Sequence, residues 1–133
     1  MKDGFIKIAC VTPDLKVADV DYNARNIIDQ IKKAHDLGVK IICFPELSIT
    51  GYTCGDLFLQ DILLKSAIEA VEKIAEETSQ VDVVSIIGLP YQAKNKLYNI
   101  AAVIKGGKVI GATAKKFIPN YSEFYELRHF TSA

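Results

Sequence analysis

The 133-residue sequence predicts a single domain of the α/β class. Half of its residues are apolar, two segments repeat apolar residues at helical spacing, and short apolar runs lie on either side of them. A short apolar run followed by a helical segment and a second apolar run predicts a βαβ unit. The two strands of such a unit are parallel neighbours in a sheet. The sequence contains no internal repeat, linker or low-complexity segment, so one compact set of layers is expected.

The first predicted unit begins with a short strand, Phe5 to Val11, which is rich in strand-forming residues. Capping side chains at residues 21–23 then predict the start of a helix, and Gly38 lies where a helix C-terminus favours a left-handed residue. The almost uninterrupted apolar run from Val39 to Phe44 predicts a second strand, buried on both faces. The helix between the two strands is predicted from the spacing of Ile27, Ile28, Ile31, Ala34 and Leu37.

The second half of the chain continues the same alternation. A helix is predicted from Asp61 to Ser79, and a buried strand from Val81 to Leu89 that ends at Pro90. Gly106 and Gly107 then separate two strand-like segments, LYNIAAVI and KVIGATAK. A pair of glycines between such segments predicts an antiparallel hairpin with a type I′ turn.

Composition excludes several classes of protein. Sixteen basic and sixteen acidic residues give a formal net charge of zero, so no basic surface for nucleic acid is expected. The N-terminus lacks the apolar stretch of a secretory signal, and no apolar run approaches the ~20 residues that span a membrane. The scattered cysteines Cys10, Cys43 and Cys54 and the distant histidines His35 and His129 show no metal-ligand spacing. We therefore expect no metal site, no disulfide framework and a reduced, cytoplasmic setting.

Glu46 is the first candidate for chemistry. It follows the apolar run that ends at Phe44, and Pro45 restricts the backbone just before it. Side chains at the ends of buried strands in α/β sheets often face the ligand crevice, and burial favours a carboxylate that accepts protons near neutral pH. A glutamate at the rim that only caps the following loop is the alternative.

Lys115 is the second candidate, because it lies at the end of the last predicted strand. A lysine beside a buried carboxylate would be held in its charged form. The alternative is an exposed lysine at a strand end, which its neighbour Lys116 illustrates. Among the cysteines, only Cys54 lies in a loop near Glu46, where a reactive thiol is conceivable.

Two segments of the chain resemble motifs of the nitrilase superfamily of carbon–nitrogen hydrolases. IICFPELSITGY is similar to the family's strand that runs into a catalytic glutamate, and AKKFIP is similar to its strand that ends in a catalytic lysine. The resemblance implies a partial nitrilase-type α-β-β-α sandwich and a Glu-Lys-Cys triad. In that triad, Glu46 would be the general base, and Lys115 would stabilise the developing oxyanion.

Within the superfamily, GYTCGDLF and IPNYSEFYELRHF are similar to the glutaminase domains of the glutamine-dependent NAD synthetase family. This resemblance implies that Tyr52 and Tyr121 line a glutamine pocket. It also implies that Glu123 orients Lys115 and that Glu126 contacts the substrate ammonium group.

The same resemblance implies a reaction and its partners. Glutamine would be hydrolysed at its side-chain amide, and the ammonia would serve the ATP-dependent amidation of nicotinic acid adenine dinucleotide to NAD. ATP and magnesium would belong to a separate synthetase domain, so no cofactor is expected in this chain. The superfamily also implies a homo-oligomer.

The chain departs from the family at the nucleophile, which in these proteins follows the lysine. No cysteine follows Lys115 in this sequence. We therefore expect residues 1–133 to form the N-terminal portion of one nitrilase-type glutamine amidohydrolase domain, without its C-terminal half or the ligase domain, and to be inactive alone. The alternatives are a fragment of another nitrilase-type amidase and a non-catalytic interaction module with an uncovered apolar sheet face.

Overall fold

The computed structural model describes residues 4–133 and confirms the α/β class. One five-stranded sheet has the strand order β1-β2-β3-β4-β5, and two helices cover one of its faces. The strands are β1 (Ile8–Cys10), β2 (Ile41–Cys43), β3 (Val84–Ala93), β4 (Lys96–Lys105) and β5 (Lys108–Ala114). The helices are α1 (Val20–Asp36) and α2 (Asp61–Glu77), with short 3₁₀ turns at Gly55–Leu59 and Glu126–Arg128.

The first three strands are parallel, as the βαβ pattern predicts. Ile8 pairs with Ile41, which pairs in turn with Val84. Right-handed crossovers between successive parallel strands place α1 and α2 on the same side of the sheet, where they pack against each other. Strands β1 and β2 each have three residues, fewer than predicted.

The prediction that β2 is buried on both faces is wrong for this chain. Ile42 is fully buried against the helices, whereas Ile41 and Cys43 are only partly buried. Side chains alternate between faces along a strand, and the helices cover only one face. The opposite face is open. Paired residues form two rows across it: one row is Ile8, Ile41 and Val84, and the other is Cys10, Cys43, Ile86 and Val103.

Helix α1 begins earlier than predicted. Asp19 is the N-cap, and its side chain accepts a hydrogen bond of 3.1 Å from the backbone N–H of Tyr22. Asn23 is fully buried inside the first turn. Its side chain bonds to the backbone of Lys16 and donates to the carbonyl of Ile49 at 2.9 Å. It therefore ties the helix to the loop that follows β2.

Strand β3 continues through Pro90 to Ala93, although the sequence predicts that it ends at the proline. Pro90 pairs with Asn99, whose carbonyl accepts from the N–H of Lys115 and so points away from β3. The Pro90–Asn99 pair is therefore one that exchanges no hydrogen bonds. Proline is tolerated here because its missing N–H would not have faced β4.

The β4–β5 hairpin agrees with its prediction. Gly106 and Gly107 have φ angles of 56° and 80°, which is the left-handed backbone that a type I′ turn requires at both positions. Gly38 has φ of 75° just after α1, as expected for a helix C-terminus. Within residues 4–133, no helix is long and apolar enough to cross a membrane.

Candidate active site

The turn that carries Glu46 is held by backbone hydrogen bonds to β3. On one side of the turn, Phe44 donates to the carbonyl of Ile86 at 2.9 Å. On the other, Ile49 donates to the carbonyl of Gly88 at 3.1 Å. Glu46 therefore follows the end of β2 in a turn that main-chain hydrogen bonds tie to β3 on both sides.

This turn lies directly against Gly88. A Cβ atom at position 88 would lie 2.8 Å from the carbonyl oxygen of Pro45 and would collide with the backbone nitrogen of Leu47. Leu47 itself has a φ of 52°, in the left-handed region that a leucine seldom adopts. The close approach and this unusual backbone together aim Glu46 away from the core, which Leu47 enters as a fully buried side chain.

Lys115 follows β5 directly and contacts two carboxylates. Its backbone N–H donates to the carbonyl of Asn99 at 2.8 Å. Its Nζ lies 2.7 Å from Oε1 of Glu46 and 2.9 Å from Oε2 of Glu126. Burial by itself lowers the pKa of Lys115, but hydrogen bonds and charge attraction from both glutamates outweigh it and raise the pKa. Lys115 is therefore held as a cation.

Glu126 is the buried member of this cluster, with a side chain that is 6% exposed. Oε1 of Glu126 accepts a hydrogen bond of 2.7 Å from the hydroxyl of Tyr52, and Nζ of Lys115 contacts both of its carboxylate oxygens. Burial raises the pKa of Tyr52, and the hydrogen bond to Glu126 and its charge raise it further. Tyr52 is thus a neutral donor to Glu126.

The two carboxylates differ in their free hydrogen-bonding capacity. Both donors to Glu46, Nζ of Lys115 and the side-chain amide of Asn99, meet at Oε1. Both oxygens of Glu126 are occupied. Among the described residues of this cluster, Oε2 of Glu46 is thus the carboxylate oxygen left to accept a proton. The Glu46 side chain is also 40% exposed, so it is less dry than the sequence predicts.

In the structure, Glu126 has the position beside Lys115 that the resemblance implied for Glu123. Within residues 4–133, the acidic partners of Lys115 are Glu46 and Glu126, so the prediction that Glu123 orients Lys115 is wrong. Glu123 bonds to its neighbour Ser122, and this hydrogen bond lowers its pKa. Two residues separate Glu123 from Glu126, and only Glu126 faces inward, because the irregular segment turns between them.

A cavity of about 190 Å³ opens beside Glu126 and Tyr52. Glu123, His129 and Phe58 also line it. Tyr121 does not line this cavity; it is 68% exposed and packs edge-on against Phe124 at 5.6 Å. Of the two predicted pocket tyrosines, the structure brings only Tyr52 next to the Glu46–Lys115 pair.

The cysteines lie at different depths. Cys54 is buried, and its Sγ donates to the carbonyls of Thr50 and Gly51. Burial raises the pKa of its thiol, so Cys54 is not the reactive thiol that its loop position suggested. Cys43 instead lines a cleft of about 250 Å³ together with Glu46 and Lys115.

Asn99 is the site residue that the sequence analysis missed. It is 4% exposed, and its amide meets Glu46 from β4. A lone carboxamide inside the otherwise apolar run LYNIAAVI was the available signal. Residues 4–133 contain no group of three or more His, Cys, Asp or Glu side chains that could hold a metal ion.

A free carboxylate oxygen beside a charged lysine, at the edge of an α/β sheet, provides the proton-accepting and oxyanion-stabilising groups of an amide-hydrolysing site. A family model described as carbon-nitrogen hydrolase matches residues 7–132. The chain therefore belongs to the carbon–nitrogen hydrolase family.

Similar proteins agree with this assignment. The chain is 35% identical over 125 residues to a glutamine-dependent NAD(+) synthetase of Mycobacterium bovis, which covers 94% of the chain and 18% of that protein. It is 43% identical over 118 residues to the synthetase of Aquifex aeolicus, which covers 86% of the chain and 20% of that protein. The chain thus spans about a fifth of the length of these relatives.

The fold is also similar to a solved structure. The crystal structure of a glutamine-dependent NAD(+) synthetase from Cytophaga hutchinsonii matches with a TM-score of 0.90 and 38% identity. The match covers 96% of this chain and 22% of that one. The five-stranded sheet and its helices are therefore one side of a nitrilase-type sandwich.

Proposed function

We propose that this chain forms part of a glutaminase site that hydrolyses the side-chain amide of glutamine. The contact that supports the proposal most directly is the one between Glu46 Oε1 and Lys115 Nζ at 2.7 Å, with Oε2 of Glu46 left free. The relatives named as glutamine-dependent synthetases support glutamine as the amide.

The proposed reaction uses a cysteine thiol from chain beyond residue 133. Oε2 of Glu46 takes the thiol proton, and the sulfur attacks the amide carbon. Nζ of Lys115 stabilises the negative charge on the amide oxygen, and Glu126 with Tyr52 holds the lysine in place. Ammonia leaves with the transferred proton, and water then hydrolyses the thioester to glutamate.

The ammonia is proposed to serve a second reaction, the ATP-dependent amidation of nicotinic acid adenine dinucleotide to NAD. Similarity to named synthetases over nearly the whole of this chain supports this step. ATP and magnesium would act in a separate domain. A cytoplasmic homo-oligomer is the proposed setting.

The test uses the product of the complete gene that contains these residues. Glu46→Gln and Lys115→Ala should each reduce glutamate release from glutamine by about 10²-fold or more, while amidation with free ammonia continues. Lys116→Ala and Glu76→Gln are the controls, because both residues are exposed. Glutamate release that is unchanged in Glu46→Gln would refute the proposal.

The 133-residue chain alone is expected to release no ammonia from glutamine. A thiol-dependent release would overturn this expectation. Cys43→Ser would then identify the thiol, because Cys43 lines the cleft with Glu46, with Cys54→Ser as the buried control.

A second candidate is a non-catalytic interaction module, and the open sheet face favours it. Ile8 is 64% exposed on that face, and Ile41, Val84 and Ile86 are only partly buried. Two copies of the chain joined through these rows would cover them. Sedimentation should then show a defined oligomer that Ile86→Lys dissociates, whereas a monodisperse monomer would count against this candidate.

A further inference from the structure

Asn99 links the two reactive groups of the site. Its side-chain amide donates to Oε1 of Glu46, and its backbone carbonyl accepts from the N–H of Lys115 at 2.8 Å. The residue is 4% exposed and lies on β4, where it pairs with Pro90 of β3. One buried residue therefore positions both the proposed base and the proposed oxyanion stabiliser.

The orientation of the Asn99 amide follows from chemistry. An ionised carboxylate only accepts hydrogen bonds, so the amide nitrogen, rather than the amide oxygen, must face Glu46. With Lys115 and Asn99 both donating to Oε1, the plane of the carboxylate is held and Oε2 has no donor. A lysine alone would fix the distance to one oxygen but would leave the carboxylate free to rotate.

Resting on the proposed function, we propose that Asn99 is a positioning residue that selects Oε2 of Glu46 as the proton acceptor. Loss of the Asn99 donor would let the carboxylate rotate, so that its two oxygens exchange places. The proposed base would then lose its fixed orientation.

The first test needs no activity. The 133-residue chain is labelled with ¹³C at glutamate side chains, and the Glu46 carboxyl signal is assigned by its absence in Glu46→Gln. Asn99→Asp keeps the size of the side chain but not the neutral donor, and Asn99→Ala removes both. At neutral pH, each variant should shift the Glu46 carboxyl signal by more than its line width, because Oε1 loses the Asn99 donor. A signal unchanged in both variants overturns the proposal.

Ser85→Ala is the matched control, because Ser85 is 1% exposed on the neighbouring strand β3 and pairs with Ile104, far along the ladder from Asn99. It should leave the Glu46 signal in place. If Ser85→Ala moved the signal as far as the Asn99 variants do, the shift would reflect general loosening of the sheet, and the proposal would be wrong.

The second test uses glutamine hydrolysis by the complete gene product. Asn99→Asp should lower kcat about tenfold with KM unchanged within about twofold, because Asn99 acts through Glu46 and does not line the cavity beside Tyr52. A rise in KM alone, with kcat unchanged, contradicts positioning. Absence of glutaminase activity in the wild-type protein would refute the proposed function instead, and the carboxyl signal would still decide the role of Asn99.

Discussion

The two segments that supply the carboxylates of the site are held in different ways. The Glu46 turn is fixed by main-chain hydrogen bonds and by contact with Gly88. The Glu126 segment belongs to no long helix or strand. A main-chain bond from Thr131 to the carbonyl of Leu97 ties its end to β4, but the Glu126 carboxylate is held by the side chains of Lys115 and Tyr52. The Glu46 turn is therefore held by the main chain of the sheet, whereas the position of the Glu126 carboxylate depends on individual side chains. Substitutions should affect the two segments to different extents.

Gly88→Ala should have the largest effect, because the new Cβ collides with two backbone atoms of the turn. We expect the free energy of unfolding to fall by about 3 kcal/mol, as measured by urea denaturation. Gly111→Ala is the control, since a Cβ atom at this strand glycine meets nothing within 4 Å. Equal effects of the two substitutions would show that the turn does not depend on close approach to Gly88.

Glu126→Gln should have the second-largest effect on stability, because it leaves Tyr52 and Lys115 facing a neutral group in a buried position. A loss of about 2 kcal/mol is expected, together with faster proteolysis between residues 117 and 130. Glu123→Gln should change neither quantity, as Glu123 is exposed. If both variants behaved alike, Glu126 would not be what holds the segment.

Tyr52 provides a pH test of the same contact. Its pKa is raised in the folded protein, so above pH ~10 the unfolded chain loses the phenol proton while the folded chain keeps it. The free energy of unfolding should therefore fall as pH rises from about 9 to 11. Tyr52 is 39% exposed, so solvent screens its contacts and the fall should be smaller than a fully buried phenol would give. Urea denaturation of Tyr52→Phe should show a shallower fall than wild type. Tyr121→Phe should retain the wild-type slope, and a Tyr52→Phe slope equal to wild type would contradict the assignment.

The smallest effect is expected at the exposed pair of Arg128 and Asp56, whose side chains lie 3.0 Å apart. Both are about two-thirds exposed, and such pairs contribute about 0.2–1 kcal/mol. A double-mutant cycle with Arg128→Gln and Asp56→Asn should give a coupling at the low end of this range, decreasing with added salt. A coupling above ~2 kcal/mol would mean that the segment is held by this pair rather than by Glu126.

The sequence predicted the regular part of the fold better than the irregular part. Apolar runs and the double glycine at Gly106 identified the strands, because side-chain period and turn geometry are local properties. The passage of β3 through Pro90 could not be predicted, since tolerance of proline depends on which residue of a partner strand it faces. The open sheet face likewise could not be predicted, because it depends on where the helices pack.

The site shows the same division. The pairing of Glu46 with Lys115 agrees with their positions at strand ends. The contact of Lys115 with Glu126 rather than Glu123 could not be predicted, because spacing along an irregular segment does not determine which side chain turns inward. The amide of Asn99 reaches the site from a strand that carries neither motif, so only the register of β4 brings it there.

The three cysteines lie at three depths: Cys10 exposed, Cys43 intermediate and Cys54 buried. Alkylation followed by mass spectrometry would therefore distinguish local from global opening of the fold, which a single spectroscopic signal averages. Modification of Cys43 ahead of Cys54 would report local opening of the sheet next to the Glu46 turn. Modification of Cys54 would report opening of the core. The chain thus contains its own set of probes for separating local opening from global unfolding.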